Sequence, residues 1–164
     1  MGDTMKNIFL TIVMMTILTL PAAVMAGGLD FGKAVTIGSG PKVVVEFTDP
    51  DCPFCRKATV YFDGRTDITR HIFFYPLARH PKAKEKVRFI LSQADKGAAY
   101  HLAMSGGLDT LATLEATPGG IRLQEEHQEI AKKAKVDSTP TFMINGRIIE
   151  GFDLKRIEEA LGPR

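Results

Sequence analysis

The stretch that decides the reading is TDPDCPFC at residues 48–55, entered from PKVVVEF at 41–47. It holds both cysteines of the chain, Cys52 and Cys55. Val43–Phe47 is apolar and largely β-branched, bounded by Gly40-Pro41 and Asp49-Pro50, which predicts a buried central strand. Pro53 suits the first turn of a helix, and Gly64 is placed to end it. A strand that turns into a helix at Cys-x-x-Cys puts the first cysteine where unpaired backbone N–H groups and the helix dipole stabilise an anion. The thiolate is the reactive form. Cys52 is therefore the expected nucleophile, and Cys55, one turn further in, the expected resolving thiol. Asp49 and Asp51 oppose this stabilisation, while Arg56 and Lys57 offset them.

Two other uses of a cysteine pair fit poorly. A structural bridge stabilises by closing a long loop, and two intervening residues close almost none. A zinc site needs about four ligands, but His71, His80, His101 and His127 are scattered through the sequence at no metal spacing. No metal is expected, and no cofactor. The N-terminus sets the compartment. Lys6, an apolar run from Ile8 to Leu20, Pro21 and then Val24 and Ala26 form a signal-peptide pattern, residues 1–26, with cleavage after Ala26. The run is shorter than the roughly 20 residues of a membrane span. Starting at Met5 in place of Met1 gives a cleaner signal. Export to the periplasm lets a disulfide persist.

The chain has 164 residues, 45% hydrophobic and 24% charged, which suits one globular domain. Its formal net charge of +2, without a basic run, argues against nucleic acid or a membrane surface as partner. Residues 27–40 read as a lead-in with an edge strand at Ala34–Ile37, followed by the main domain over 41–164. Ile68–Leu77 is a second core strand, its FFY at 73–75 being core. From Pro81 a helix repeats Val87, Ile90, Leu91 and Ala94 at helical spacing. Helical stretches at Ala98–Leu114 and from about Ile121 to Lys135 follow, the latter with Leu123, Ile130 and Ala134 on one face. His127 near that stripe reads as a satisfied, partly buried histidine, and Lys132, Lys133 and Lys135 as a solvated helix end. Thr141–Ile144 and Arg147–Glu150 flank Asn145-Gly146, a strong hairpin signal. Leu154–Leu161 closes the chain as a helix between Asp153 and Gly162. The order β, α, β, several helices, β-hairpin, α gives an α/β domain with a central mixed sheet.

The strand–CPFC–helix unit together with DSTPTFMINGRIIEGF at 137–152 resembles the thioredoxin-like fold. The resemblance implies a cis-proline at Thr139-Pro140 facing the cysteines, where an X-Pro bond makes cis accessible and the Thr139 backbone can pair with a substrate segment. FTDPDCPFCRK, IFFYPLARHPKAKEKVRFILSQADKGAAYHLAMSGG and VDSTPTFMINGRIIEGF are most similar to the catalytic domain of the DsbC/DsbG group of periplasmic thiol:disulfide interchange proteins, over about Val35 to Leu161. That similarity implies a helical insertion at about 82–135 before the hairpin. It also implies exchange with exported proteins bearing thiols or disulfides, and a membrane electron donor of the DsbD type. Three departures stand out. The group's N-terminal dimerisation domain is missing, which points to a monomer. Its extra cysteine pair is absent, with Ser92 at one such position. An acid, Glu46, replaces an apolar residue.

Glu46 stands six residues before Cys52, where thioredoxin and DsbA also carry an acid. A carboxylate is uncomfortable in a core strand. Raised by burial, it would accept the Cys55 proton; a wet face or a salt bridge with Lys42 are the alternatives. Phe54, between the cysteines, is expected exposed beside Cys52, in contact with clients. The function expected is thiol-disulfide exchange through a Cys52–Cys55 redox disulfide, leaning towards reductase or isomerase. The alternatives are a reductant dedicated to one client, such as an apocytochrome c, and a Cu(I)-binding module using both thiolates. Only Met104 and Met143 would remain to assist copper.

Overall fold

The computed structural model describes residues 28–164. The signal peptide expected over residues 1–26, with its cleavage after Ala26, lies outside the described residues. After a short 3-10 turn at Phe31–Lys33, the chain runs β1 (Val35–Gly38), β2 (Lys42–Thr48), α1 (Pro53–Asp63), β3 (Ile68–Phe74), α2 (Ala83–Ser92), α3 (Lys96–Met104), α4 (Pro118–Lys133), β4 (Thr141–Ile144), β5 (Arg147–Glu150) and α5 (Leu154–Leu161). The five strands form one mixed sheet in the order β1-β3-β2-β4-β5. β2 and β3 are parallel, and the other neighbours are antiparallel.

The parallel pair β2–β3 is the centre of the fold and is packed against apolar residues on both faces, as such a position demands, with Glu46, Thr48 and Arg70 as buried polar exceptions. Val44 of β2 packs with Ala58 and Phe62 of α1, Phe142 and Ile144 of β4, and Ile157 of α5. Ile72 and Phe74 of β3 join both cysteines, Val87 and Ile90 of α2, and Tyr100 and Ala103 of α3. The alternate residues Val45, Phe47 and Phe73 pack with Ala131 of α4 and Val136. Phe47, Phe73 and Phe142 have no exposed surface, and each such side chain contributes roughly 1.5–3 kcal/mol of burial. Asn145 and Gly146 take the left-handed conformation, with φ of 48° and 77°, which the tight turn between β4 and β5 requires.

Most element boundaries fall within one or two residues of expectation, and four of the differences have a visible cause or consequence. β3 stops at Phe74 rather than Leu77, because Pro76 follows and the Leu77 N–H is taken by the Asp49 carboxylate at 2.8 Å. α2 stops at Ser92, leaving Ala94 exposed rather than on the apolar face. A second helix restarts at once because Asp95 caps it, accepting from the Ala98 N–H at 2.9 Å. That helix ends at Met104, not Leu114, and turns follow at the glycines. α4 begins at Pro118 rather than Ile121, since Thr117 caps it and proline fits its first turn.

Candidate functional site

β2 runs out at Thr48 and the chain enters α1 through Cys52, which is the N-cap of that helix with extended backbone. The Cys52 N–H donates to the Asp49 carbonyl at 3.1 Å, and its own carbonyl accepts from Arg56 N–H at 3.1 Å. Its sulfur therefore sits over the open amides of the first turn. As a thiol it donates to the Thr139 carbonyl at 3.4 Å, and the Thr139–Pro140 peptide bond is cis. Both cysteines are free thiols. Cys52 is 2% exposed and Cys55 not at all, so the expected nucleophile is recessed, although fewer protein atoms crowd it than crowd Cys55.

The two thiols are driven apart in acidity. A hydrogen bond from the Cys55 thiol does most to pull Cys52 down, to about 5. Burial works against it, while the Cys55 and Phe54 amides and the Thr139 hydroxyl help. Cys55 is pushed far up, first by burial, then by donating to Cys52 and facing its charge. One anion is shared by two sulfurs and rests on the outer one.

Glu46 lies on the core face of β2 with no exposed surface. It does not face water and does not pair with Lys42, which bonds Asp67 at 2.9 Å instead. Its partner is Arg70 of β3, itself 1% exposed, at 3.3 Å. The same guanidinium donates to the Tyr100 hydroxyl at 3.3 Å and to Asp63 at 2.7 Å. Tyr100 shares a 2.6 Å hydrogen bond with Thr59, which donates to the Cys55 carbonyl at 3.1 Å. Burial raises Glu46 above the usual carboxylate range, and the Arg70 charge, then the hydroxyl of Thr48 on the same strand face, partly reverse this.

The acids beside the cysteines are occupied. Asp49 is fully buried and its carboxylate takes the Asp51 N–H, the Leu77 N–H and His80 Nδ1 at 2.7–2.8 Å. Asp51 pairs with Lys86. Lys86 and a bidentate Arg56 both hold Asp109, at 2.6–2.8 Å. The cation facing Asp51 most closely is thus Lys86 of α2. Lys57 lies over the Phe54 ring, 5.4 Å from its centre. Phe54 is 57% exposed.

Sequence reasoning missed Arg70, Tyr100, Lys86 and Asp109. Arg70 left a signal: it alternates with Ile68 and Ile72 on a strand whose even positions face the core, although its level partner on β2 is Val44 and Glu46 lies two residues further along. Tyr100, Lys86 and Asp109 left none, because loops and helix packing bring them in. His127 is fully buried and paired, with Nδ1 accepting from the Phe74 N–H at 3.0 Å and Nε2 against the Lys33 carbonyl at 2.8 Å.

Comparison with known proteins gives a consistent picture. The family model described as a thioredoxin-like domain matches residues 33–156. A curated relative from Bordetella avium, named "Probable thiol:disulfide interchange protein DsbC", is 28% identical over 114 residues. That match takes in 69% of this chain but only 39% of the relative. A disulfide interchange protein from Neisseria gonorrhoeae, solved by crystallography, is 26% identical with a TM-score of 0.69, covering 82% of this chain and 100% of that one. A thioredoxin-like oxidoreductase from Silicibacter pomeroyi shares the fold, at 19% identity and a TM-score of 0.63 over 79% of this chain and 92% of its own. On a match that spans most of its length, this chain belongs to the thioredoxin-like domain family.

Proposed function

We propose that the protein is a thiol-disulfide oxidoreductase that exchanges disulfides with exported proteins through Cys52 and Cys55. The observation that carries this is the placement of the pair: Cys52 caps α1 with its thiol on the carbonyl that precedes cis Pro140, and Cys55 is fully buried behind it. That placement pulls the pKa of Cys52 down and pushes that of Cys55 far up. At neutral pH Cys52 is then an anion able to attack a client disulfide, forming a mixed disulfide. Cys55 attacks Cys52, the client sulfur leaves as a thiolate, and the pair ends oxidised. Glu46 takes the proton that Cys55 must lose, and burial, by raising it above the ordinary carboxylate range, makes it a stronger base than a free carboxylate. The Thr139 carbonyl beside Cys52, followed by Pro140, aligns an extended client segment, and exposed Phe54 adds an apolar contact next to the sulfur.

Likeness to disulfide interchange proteins supports thiol-disulfide exchange and a periplasmic setting, and the resemblance of the CPFC and Thr-Pro stretches to the DsbC/DsbG group is the ground for a reductase or isomerase lean. In that setting the protein acts as a monomer whose pair is kept reduced by a membrane donor of the DsbD type. The test is insulin reduction in dithiothreitol with the wild type, Cys52→Ser and Cys55→Ser. The wild type accelerates precipitation of the insulin B chain. Cys52→Ser falls to the uncatalysed rate, and Cys55→Ser accumulates a mixed disulfide. Equal rates for wild type and Cys52→Ser contradict the proposal.

A further inference from the structure

We propose that the hydroxyl of Thr48 relays the proton from Cys55 to Glu46. The inference rests on the exchange reading above and deepens it, because Glu46 and Cys55 need something between them. Alternation along β2 puts Glu46 and Thr48 on one face. They lie opposite Ile72 and Phe74 of β3, the two β3 residues in the cluster that holds Cys52 and Cys55. Thr48 has no exposed surface. Its Oγ1 closes no hydrogen bond among the described residues, and neither does Glu46 Oε1. Buried polar atoms are nearly always partnered, so two such orphans on one face mark a place where a proton moves rather than rests. Arg70 holds the other carboxylate oxygen, Oε2, which leaves Oε1 to receive.

From that face the Thr48 hydroxyl favours the ionised form of Glu46 and of Cys55 alike. The other charged or titratable groups facing this spot are Cys52 and Asp63 of α1, Arg70 of β3, Tyr100 of α3 and, behind Phe74, His127 of α4. None of them bridges the orphaned carboxylate oxygen to the Cys55 sulfur.

In the mixed disulfide Cys52 is bonded to the client sulfur. The Cys55 S–H bond breaks as its proton passes to Thr48 Oγ1, and the proton of Thr48 passes to Glu46 Oε1. The Cys55 sulfur then bonds to Cys52, and the Cys52–client bond breaks with its electron pair on the client thiolate. Glu46 ends neutral and Thr48 unchanged; the protein pair is oxidised and the client reduced.

The experiment follows the reduced protein reacting with an aromatic disulfide whose thiolate absorbs visible light. The first release reports attack by Cys52, and the second reports resolution by Cys55. In Thr48→Val, the expected result is an unchanged first phase and a second phase slowed about 100-fold at neutral pH, the low end for acid–base catalysis. Thr48→Ser restores the second phase. Combining Thr48→Val with Glu46→Gln adds nothing beyond Glu46→Gln alone. In the wild type the second phase falls as acid protonates Glu46 and levels above that point. In Thr48→Val it climbs with hydroxide without a plateau. An unchanged second phase in Thr48→Val overturns the relay, as does Thr48→Ser being as slow as Thr48→Val. A wild type with no first release overturns the exchange reading itself.

Discussion

At the scale of single residues, the site works by placing each charge once. A helix start and a neighbouring thiol favour an anion on Cys52, while burial denies one to Cys55. Glu46 is kept ready by a cation that does not titrate, since a guanidinium stays charged at any working pH. Arg70→Met leaves Glu46 buried without that partner. Breaking a buried pair costs about 3–5 kcal/mol when the remaining charge persists, and protonation of Glu46 relieves part of it. The sign follows from linkage. Glu46 in the fold lies above its unfolded range near 4.5, so the charged form burdens the fold increasingly as pH rises above that value. Arg70→Met is therefore expected to gain stability on acidification from pH 8 to 5 more steeply than the wild type, measured by urea midpoints. It should also resolve its mixed disulfide slowly. Parallel pH curves for the two proteins contradict the pairing as drawn.

At the scale of elements, α4 shows where local pattern and tertiary demand part. Its apolar positions Leu123, Ile130 and Ala134 are only half-buried, and the deepest stripe runs through Gly120, Gln124, His127 and Ala131. The reason is the end of β3. The Phe74 N–H needs an acceptor on the helix side of the sheet, and His127 supplies it while reaching the Lys33 carbonyl. Burial depresses His127 to about 4 from an ordinary 6.5. A base depressed in the fold stabilises fully above its unfolded value and loses that stability as pH falls between the two. The loss approaches about 3 kcal/mol at the lower end. His127→Gln can still accept from Phe74 but does not titrate. The difference in unfolding free energy between wild type and His127→Gln should shift by about 2 kcal/mol against the wild type between pH 7 and 4.5. A constant difference contradicts a buried neutral histidine. Strand types, the β4–β5 turn and the α5 cap were legible because each is written in adjacent residues. The end of β3 and the starts of α3 and α4 were not, because Asp49, Asp95 and Thr117 decide them through contacts and caps outside the hydrophobic repeat.

At the scale of the whole molecule, the cysteine pair, the threonine–proline turn and the buried acid come from three separate stretches, at 46, 52–55 and 139–140. Only the sheet order β3-β2-β4 brings them together. The cysteines and Glu46 stand out because each breaks a local rule, as cysteines at a helix start and a carboxylate inside a strand, whereas the resemblance to the thioredoxin-like fold nominated Thr139 and Pro140. Sequence spacing could not supply Arg70 as the partner of Glu46, nor the Lys86–Asp51 and Arg56–Asp109 ties that hold the loop after α3 beside the cysteines. Those pairings cross 24 to 53 residues of chain and follow from packing. The account depends most on the unequal acidity of the two sulfurs. The direct measurement is the pH dependence of alkylation of the reduced protein, with each cysteine resolved by mass spectrometry. It should show Cys52 reacting with a midpoint near pH 5 while Cys55 stays unmodified throughout. A Cys52 midpoint near its ordinary value of 9.0, or Cys55 reacting first, contradicts it.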